Sequence, residues 1–104
     1  MTEVVARDSA GRISLRMEGH AGFNPGNDPV CAACSALAYA LMGYIINAQD
    51  VREVYALDVA TGHVRIEASG GRELAGAFEC AVIGLQQLAA QYPKNVSVKF
   101  LSVS

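Results

Sequence analysis

The sequence predicts an α+β fold, a two-layer or sandwich arrangement with the order β-β-α-β-β-α-β around a mostly antiparallel sheet. Three observations predict it. Strand-like alternation comes in pairs joined by glycine-containing turns, at residues 4–18 and 51–68. An apolar segment of helical length follows each pair, and one more alternating run lies near the end. With 52% apolar and 17% charged residues among 104, the chain reads as one ordered domain, residues 1–104, large enough for a core.

Val4 and Val5 begin the first strand, and Asp8-Ser9-Ala10-Gly11 makes a turn. Ile13, Leu15 and Met17 then alternate with Ser14, Arg16 and Glu18, as a half-buried strand requires. Residues 19–28, Gly-His-Ala-Gly-Phe-Asn-Pro-Gly-Asn-Asp, form a glycine-rich loop. Asp28 is a favoured N-cap, and Pro29 has its φ pre-set for the first helical position. The first helix therefore runs from about Pro29 to Ala48. Its alanines, with Cys31, Cys34, Ser35 and Gly43, suit close packing under a sheet, so this helix is expected to be central and buried. The run approaches the ~20 residues of a bilayer crossing, but its small residues and flanks favour a soluble helix and no membrane contact.

A second hairpin joins Val51–Val59 to His63–Ala68 through Ala60-Thr61-Gly62, and Ser69-Gly70-Gly71 breaks it. The second helix spans about Arg72 to Gln91. It is amphipathic, with Leu74, Phe78, Ala81, Val82, Leu85, Leu88 and Ala89 on one stripe and Glu73, Glu79, Gln86 and Gln87 opposite. Val96, Val98 and Phe100 alternate with Ser97 and Lys99 in a closing strand.

A net charge of −2 without a Lys/Arg cluster argues against direct nucleic-acid binding. With no basic, signal-like start, a cytoplasmic protein is expected. Sparse charge suggests a homo-oligomer. Three cysteines, Cys31, Cys34 and Cys80, are an odd set that leaves at least one thiol free and makes a disulfide scaffold a poor reading.

The chemistry concentrates at residues 19–35. Asp28 and Pro29 set a helix start that puts Cys31 at N3, beside the unpaired N–H groups of the first turn and the positive end of the macrodipole. Such a position favours thiolate, and the same N–H groups are expected to receive the oxyanion of a tetrahedral intermediate. His20, flanked by Gly19 and Ala21, is the base at the adjoining strand end, whereas His63 starts another strand. Asp28 caps the helix; a second reading has it orient His20 as a triad's third member. Ser35, one turn after Cys31, either hydrogen-bonds near the thiol or simply allows close packing. The loop Gly22, Phe23, Asn24, Pro25, Gly26, Asn27 is expected to close over substrate.

Gly19-His20-Ala21 followed by Asp28-Pro29-Val30-Cys31-Ala32-Ala33-Cys34-Ser35-Ala36-Leu37 resembles the ribosomal-processing cysteine protease family, Prp. The resemblance implies an endopeptidase that removes a short N-terminal extension from a large-subunit ribosomal protein, cleaving after an aromatic residue in a hydrophobic motif. It further implies a homodimer without cofactor or metal. By position, Cys31 matches the nucleophile, His20 the base, and Gly19, Asp28 and Ser35 supporting residues, with Gly22 to Asn27 as the substrate loop.

Other classes remain open in the sequence. Cys31-Ala32-Ala33-Cys34 at a helix start is also the placement of a thiol-disulfide oxidoreductase, although an antiparallel hairpin precedes it instead of a βαβ unit. Zinc held by His20, Cys31, Cys34 and Cys80 would lack a second clustered pair. A non-enzymatic ribosome-assembly factor would leave the pairing of His20 with Cys31 without a purpose.

Overall fold

The computed structural model describes residues 1–103. Its elements are β1 (Thr2–Ser9), β2 (Arg12–Glu18), α1 (Pro29–Asn47), β3 (Val51–Ala60), β4 (His63–Gly70), α2 (Arg72–Gln91) and β5 (Val96–Val103). The expected order holds, with small shifts at the ends. The first turn shrinks to Ala10-Gly11, because both residues take positive φ, +50° and +85°, and so close a two-residue hairpin. β5 runs past Phe100 to Val103 because it pairs with the whole length of β1.

The sheet order is β3-β4-β2-β1-β5. Hairpins make the β1/β2 and β3/β4 pairs antiparallel, and β2 also pairs antiparallel with β4. β5 pairs parallel with β1, as a strand arriving from a crossover helix does. Alternation directs Val4, Ala6, Ile13, Leu15, Met17, Val64, Ile66 and Ala68 to one face, where all are buried. Both helices cover that face, α2 through Leu74, Phe78, Ala81, Val82 and Leu85. The other face is open, with Glu3, Arg7, Arg16 and Arg65 exposed on it, so the fold has two layers.

One expectation is corrected here. α1 is neither central nor buried all round: it lies beside α2 and buries a single stripe, Val30, Cys34, Ala38, Leu41 and Ile45. Cys31, Leu37, Met42 and Tyr44 pack partly buried against the core beside that stripe, and the rest of the helix turns outward. Tyr39 and Ile46 are exposed, and Ala32 and Ala36 stand in the open as well.

The two helix starts receive their partners differently. Asp28 caps α1 from the adjoining position. Gly71, at the N-cap of α2, has no side chain to offer, and Asp50 serves instead from the segment before β3. Its Oδ2 accepts the Leu74 N–H at 2.9 Å, its carbonyl accepts the Gly71 N–H at 3.1 Å, and its Oδ1 accepts the Tyr44 hydroxyl at 2.6 Å. The tyrosine hydroxyl, then the Leu74 N–H, hold this carboxyl below the usual range. In return the carboxylate pushes Tyr44 up to about 12.

Candidate active site

Residues 19–28 cross the end of the sheet between β2 and α1, and their backbone is tied at several points. The Gly19 N–H donates to the Gly62 carbonyl at 3.0 Å. The Gly19 carbonyl accepts the Thr2 hydroxyl at 3.2 Å, and the Ala21 carbonyl accepts the Asn95 side-chain N–H at 3.0 Å. His20 sits between these anchors with its ring exposed. Asn24 to Asn27 form a turn closed by an N–H to carbonyl bond of 3.1 Å, with Pro25 and Gly26 at its centre. Phe23 packs edge-on against Tyr92, ring centroids 5.3 Å apart.

Asp28 organises the whole segment. Its Oδ1 accepts the N–H groups of Val30 (2.9 Å) and Cys31 (3.1 Å), and its Oδ2 those of Phe23 (2.9 Å) and Asn24 (3.2 Å). Partial burial raises its carboxyl, but the four donors outweigh that and hold it below the ordinary value. Two expectations change with this geometry. Both carboxylate oxygens are occupied, so Asp28 is the cap and the loop anchor and does not orient His20. The first-turn N–H groups of Val30 and Cys31 go to Asp28 Oδ1, and that of Ala32 goes to the Asp28 carbonyl at 3.0 Å, so they are not an open oxyanion hole.

Cys31 is half-buried at N3, and Cys34 is buried one turn on. Burial pushes the Cys34 thiol up to about 11, with the neighbouring Cys31 and Asp28 adding to the rise. A neutral thiol in the core, packed as a small apolar residue, is what this produces. Cys80 is exposed on α2, away from the loop. Among the described residues, no three His, Cys, Asp or Glu side chains gather as a metal-ligand set. His63 is engaged on the open sheet face, 2.7 Å from Glu18 and 3.5 Å from Asp58.

His20 and Cys31 line one cavity of about 820 Å³. Gly22, Pro25, Gly26 and Asp28 form its loop wall, Ser35 lies beside Cys31, and Ala32, Ala36 and Tyr39 make its helical wall. Gly19, Phe23, Asn24 and Asn27 do not line it, and they act on it through the backbone ties above. The helical wall was hidden in the sequence by its apolar character, which reads as core. Its signal was the spacing: Ala32, Ala36 and Tyr39 share a face of α1 distinct from the buried stripe, and a helix apolar on two faces uses both. Thr61, from the distant β3–β4 turn, also lines the cavity and carried no sequence signal.

A family model described as Cysteine protease Prp matches residues 1–97. Similar solved structures include the essential ribosomal processing protease Prp from S. aureus with a covalently linked product peptide. That structure is 24% identical, with a TM-score of 0.81 over 96% of this chain and 99% of the other. With a substrate peptide, the S. aureus protease gives a TM-score of 0.71 at 22% identity, over 96% and 99%. SMU.848 from Streptococcus mutans gives 0.73 at 25% identity, over 98% and 95%. Among curated proteins, none matches the chain. A thiol at a capped helix start, a histidine on the same cavity and a family match over nearly the whole length agree: the chain belongs to the cysteine protease Prp family and is a cysteine-type peptidase.

Proposed function

We propose that this peptidase is a cytoplasmic endopeptidase that removes a short N-terminal extension from a large-subunit ribosomal protein, cleaving after an aromatic residue through a Cys31–His20 dyad. The observation that carries the reading is the shared cavity. His20 and Cys31 come from separate elements and face one space, whose other walls are mainly small or apolar. Such a space takes an extended hydrophobic peptide, with room for an aromatic side chain along Ala32, Ala36 and Tyr39.

In this mechanism the Cys31 thiolate attacks the scissile carbonyl carbon while His20 holds the thiol proton. His20 then gives that proton to the departing amine, leaving a thioester on Cys31. A water, deprotonated by His20, hydrolyses the thioester and frees the thiol. With the first-turn N–H groups occupied, the Ser35 hydroxyl is the side-chain donor beside Cys31 on the cavity wall, and it steadies the developing oxyanion. The loop Gly22 to Asn27 closes over the peptide about its Asp28 anchor. A homodimer is part of the proposal, supported by the exposed apolar side chains of α1; sedimentation at micromolar concentration is expected to give twice the chain mass.

A synthetic peptide with a hydrophobic-aromatic motif near its N-terminus, analysed by mass spectrometry, tests the reaction. The wild-type protein is expected to cut after the aromatic residue and Cys31→Ala to leave the peptide intact. Cleavage by Cys31→Ala at the wild-type rate would overturn the assignment.

A further inference from the structure

A thiol dyad needs its imidazole held toward the thiol, and here neither nearby carboxylate does this. Asp28 gives both oxygens to backbone N–H groups, and Glu18 pairs with His63. Among the described residues, no side chain hydrogen-bonds the His20 ring. The group that meets the ring is the backbone of Gly62. A Cβ built on Gly62 would lie 2.8 Å from both Cε1 and Nε2 of His20 and 3.4 Å from Nδ1. Real Cβ contacts do not come that close, so the ring rests where a side chain would otherwise be.

The surroundings make this contact a fixture. Gly62 is bound to the residue before His20 through the Gly19 N–H, in continuation of the Glu18–His63 pairing of β2 with β4. The Thr2 and Asn95 side chains hold the carbonyls on either side of His20. With the backbone pinned, the remaining freedom lies in the side-chain torsions, and the flat surface of Gly62 limits these.

We propose that Gly62 is the positioning residue of His20, its absent side chain forming the seat that keeps the imidazole aimed into the cavity of Cys31. The proposal rests on the Cys31–His20 reading above. Gly62 also has φ +78°, which a turn alone would explain, so the test must separate the two roles. Asparagine tolerates left-handed backbone better than other side chains, yet it carries the Cβ that the seat excludes.

Gly62→Asn is compared with His20→Ala and wild type by peptide kinetics and by iodoacetamide labelling of Cys31 against pH, followed at that residue by mass spectrometry. Asp28, Cys31 and Tyr39 are the titratable side chains lining the cavity with His20, and all remain in both variants. Gly62→Asn is expected to lower kcat by roughly a hundredfold, the scale of a 1 Å misplacement. KM should stay within about twofold, since the cavity walls are kept. Its labelling profile should coincide with that of His20→Ala. A folded Gly62→Asn with the wild-type kcat and labelling profile would overturn the seat. In the wild-type protein itself, a nuclear Overhauser contact between His20 Hε1 and the Gly62 Hα protons is expected, and its absence overturns the proposal whether or not the variant folds. If instead His20→Ala cleaves and labels as wild type, the dyad falls and the seat with it, a result distinct from failure of Gly62 alone.

Discussion

Helices α1 and α2 lie side by side on one face of the sheet, and the first-turn N–H groups of both meet an aspartate carboxylate, yet α2, the exposed Ile83 apart, keeps its large apolar residues to one side far more closely than α1 does. In α2, Glu73, Glu79, Gln86 and Gln87 are exposed opposite a buried row, the pattern of a helix with one task. α1 has a buried row and, turned away from it, Ala32, Ala36 and Tyr39 on the cavity. The caps differ in the same sense. Asp50 ties the start of α2 to the entry of β3 and to Tyr44 of α1, all within the scaffold, while Asp28 joins the start of α1 to the loop that walls the site. A helix that carries a site gives up amphipathic order in exchange for a second apolar face.

The sharpest way to break this contrast is to change each face of α1 separately. Leu41→Ala, in the buried row, should cost about 2–5 kcal/mol in urea unfolding while the folded fraction keeps its kcat/KM. Ala36→Leu, on the cavity face, should leave stability within roughly 0.5 kcal/mol and lower kcat/KM on the order of tenfold. Equal effects of the two on both measurements would show that the faces are not distinct. Next come the caps. Asp28→Ala is expected to lower both Tm and kcat/KM, the latter by about tenfold as the loop wall loses its anchor, whereas Asp50→Ala should lower Tm alone. An active, loop-ordered Asp28→Ala protein would return Asp28 to simple capping.

The smallest effect concerns acid. The folded-state carboxyls of Asp28 and Asp50 both titrate below the unfolded value of about 4, so their stabilisation is complete above that pH and lost as pH falls through the folded values. A thermal melt series should be flat from neutral pH down to about 5 and decline below about 4. Asp50→Asn should make that decline shallower, and an unchanged acid limb would remove Asp50 from its cause.

Much of this was legible from local chemistry. Alternation at Ile13, Leu15 and Met17 and the Asp28-Pro29 start of α1 depend on near neighbours, and the structure keeps them where the residues put them. That His20 and Cys31 line one cavity followed because the loop between them is short. What stayed hidden depends on what the chain brings back from afar. Cys31 at N3 implies free N–H groups until Asp28 Oδ1 and the Asp28 carbonyl are seen to take them. Thr61 and Gly62 join the site only through the pairing of β2 with β4, and no motif marks a wall residue supplied by a remote hairpin. The alanines of α1 misled because packing on a core and lining a cavity ask for the same side chains.

The hydrogen bond from Asn95 to Ala21 spans 74 residues of sequence, and the Thr2 N–H in turn donates to the Asn95 carbonyl at 2.8 Å. Contacts of such separation are the slow ones to form, since the intervening chain must first be ordered. On a chain made from its N-terminus, the Ala21 carbonyl thus waits for the region after α2 before it meets this donor, after the partners of Gly19 have been made. The segment bearing His20 is in this way tied to both ends of the fold, to β1 through Thr2 and to the turn before β5 through Asn95.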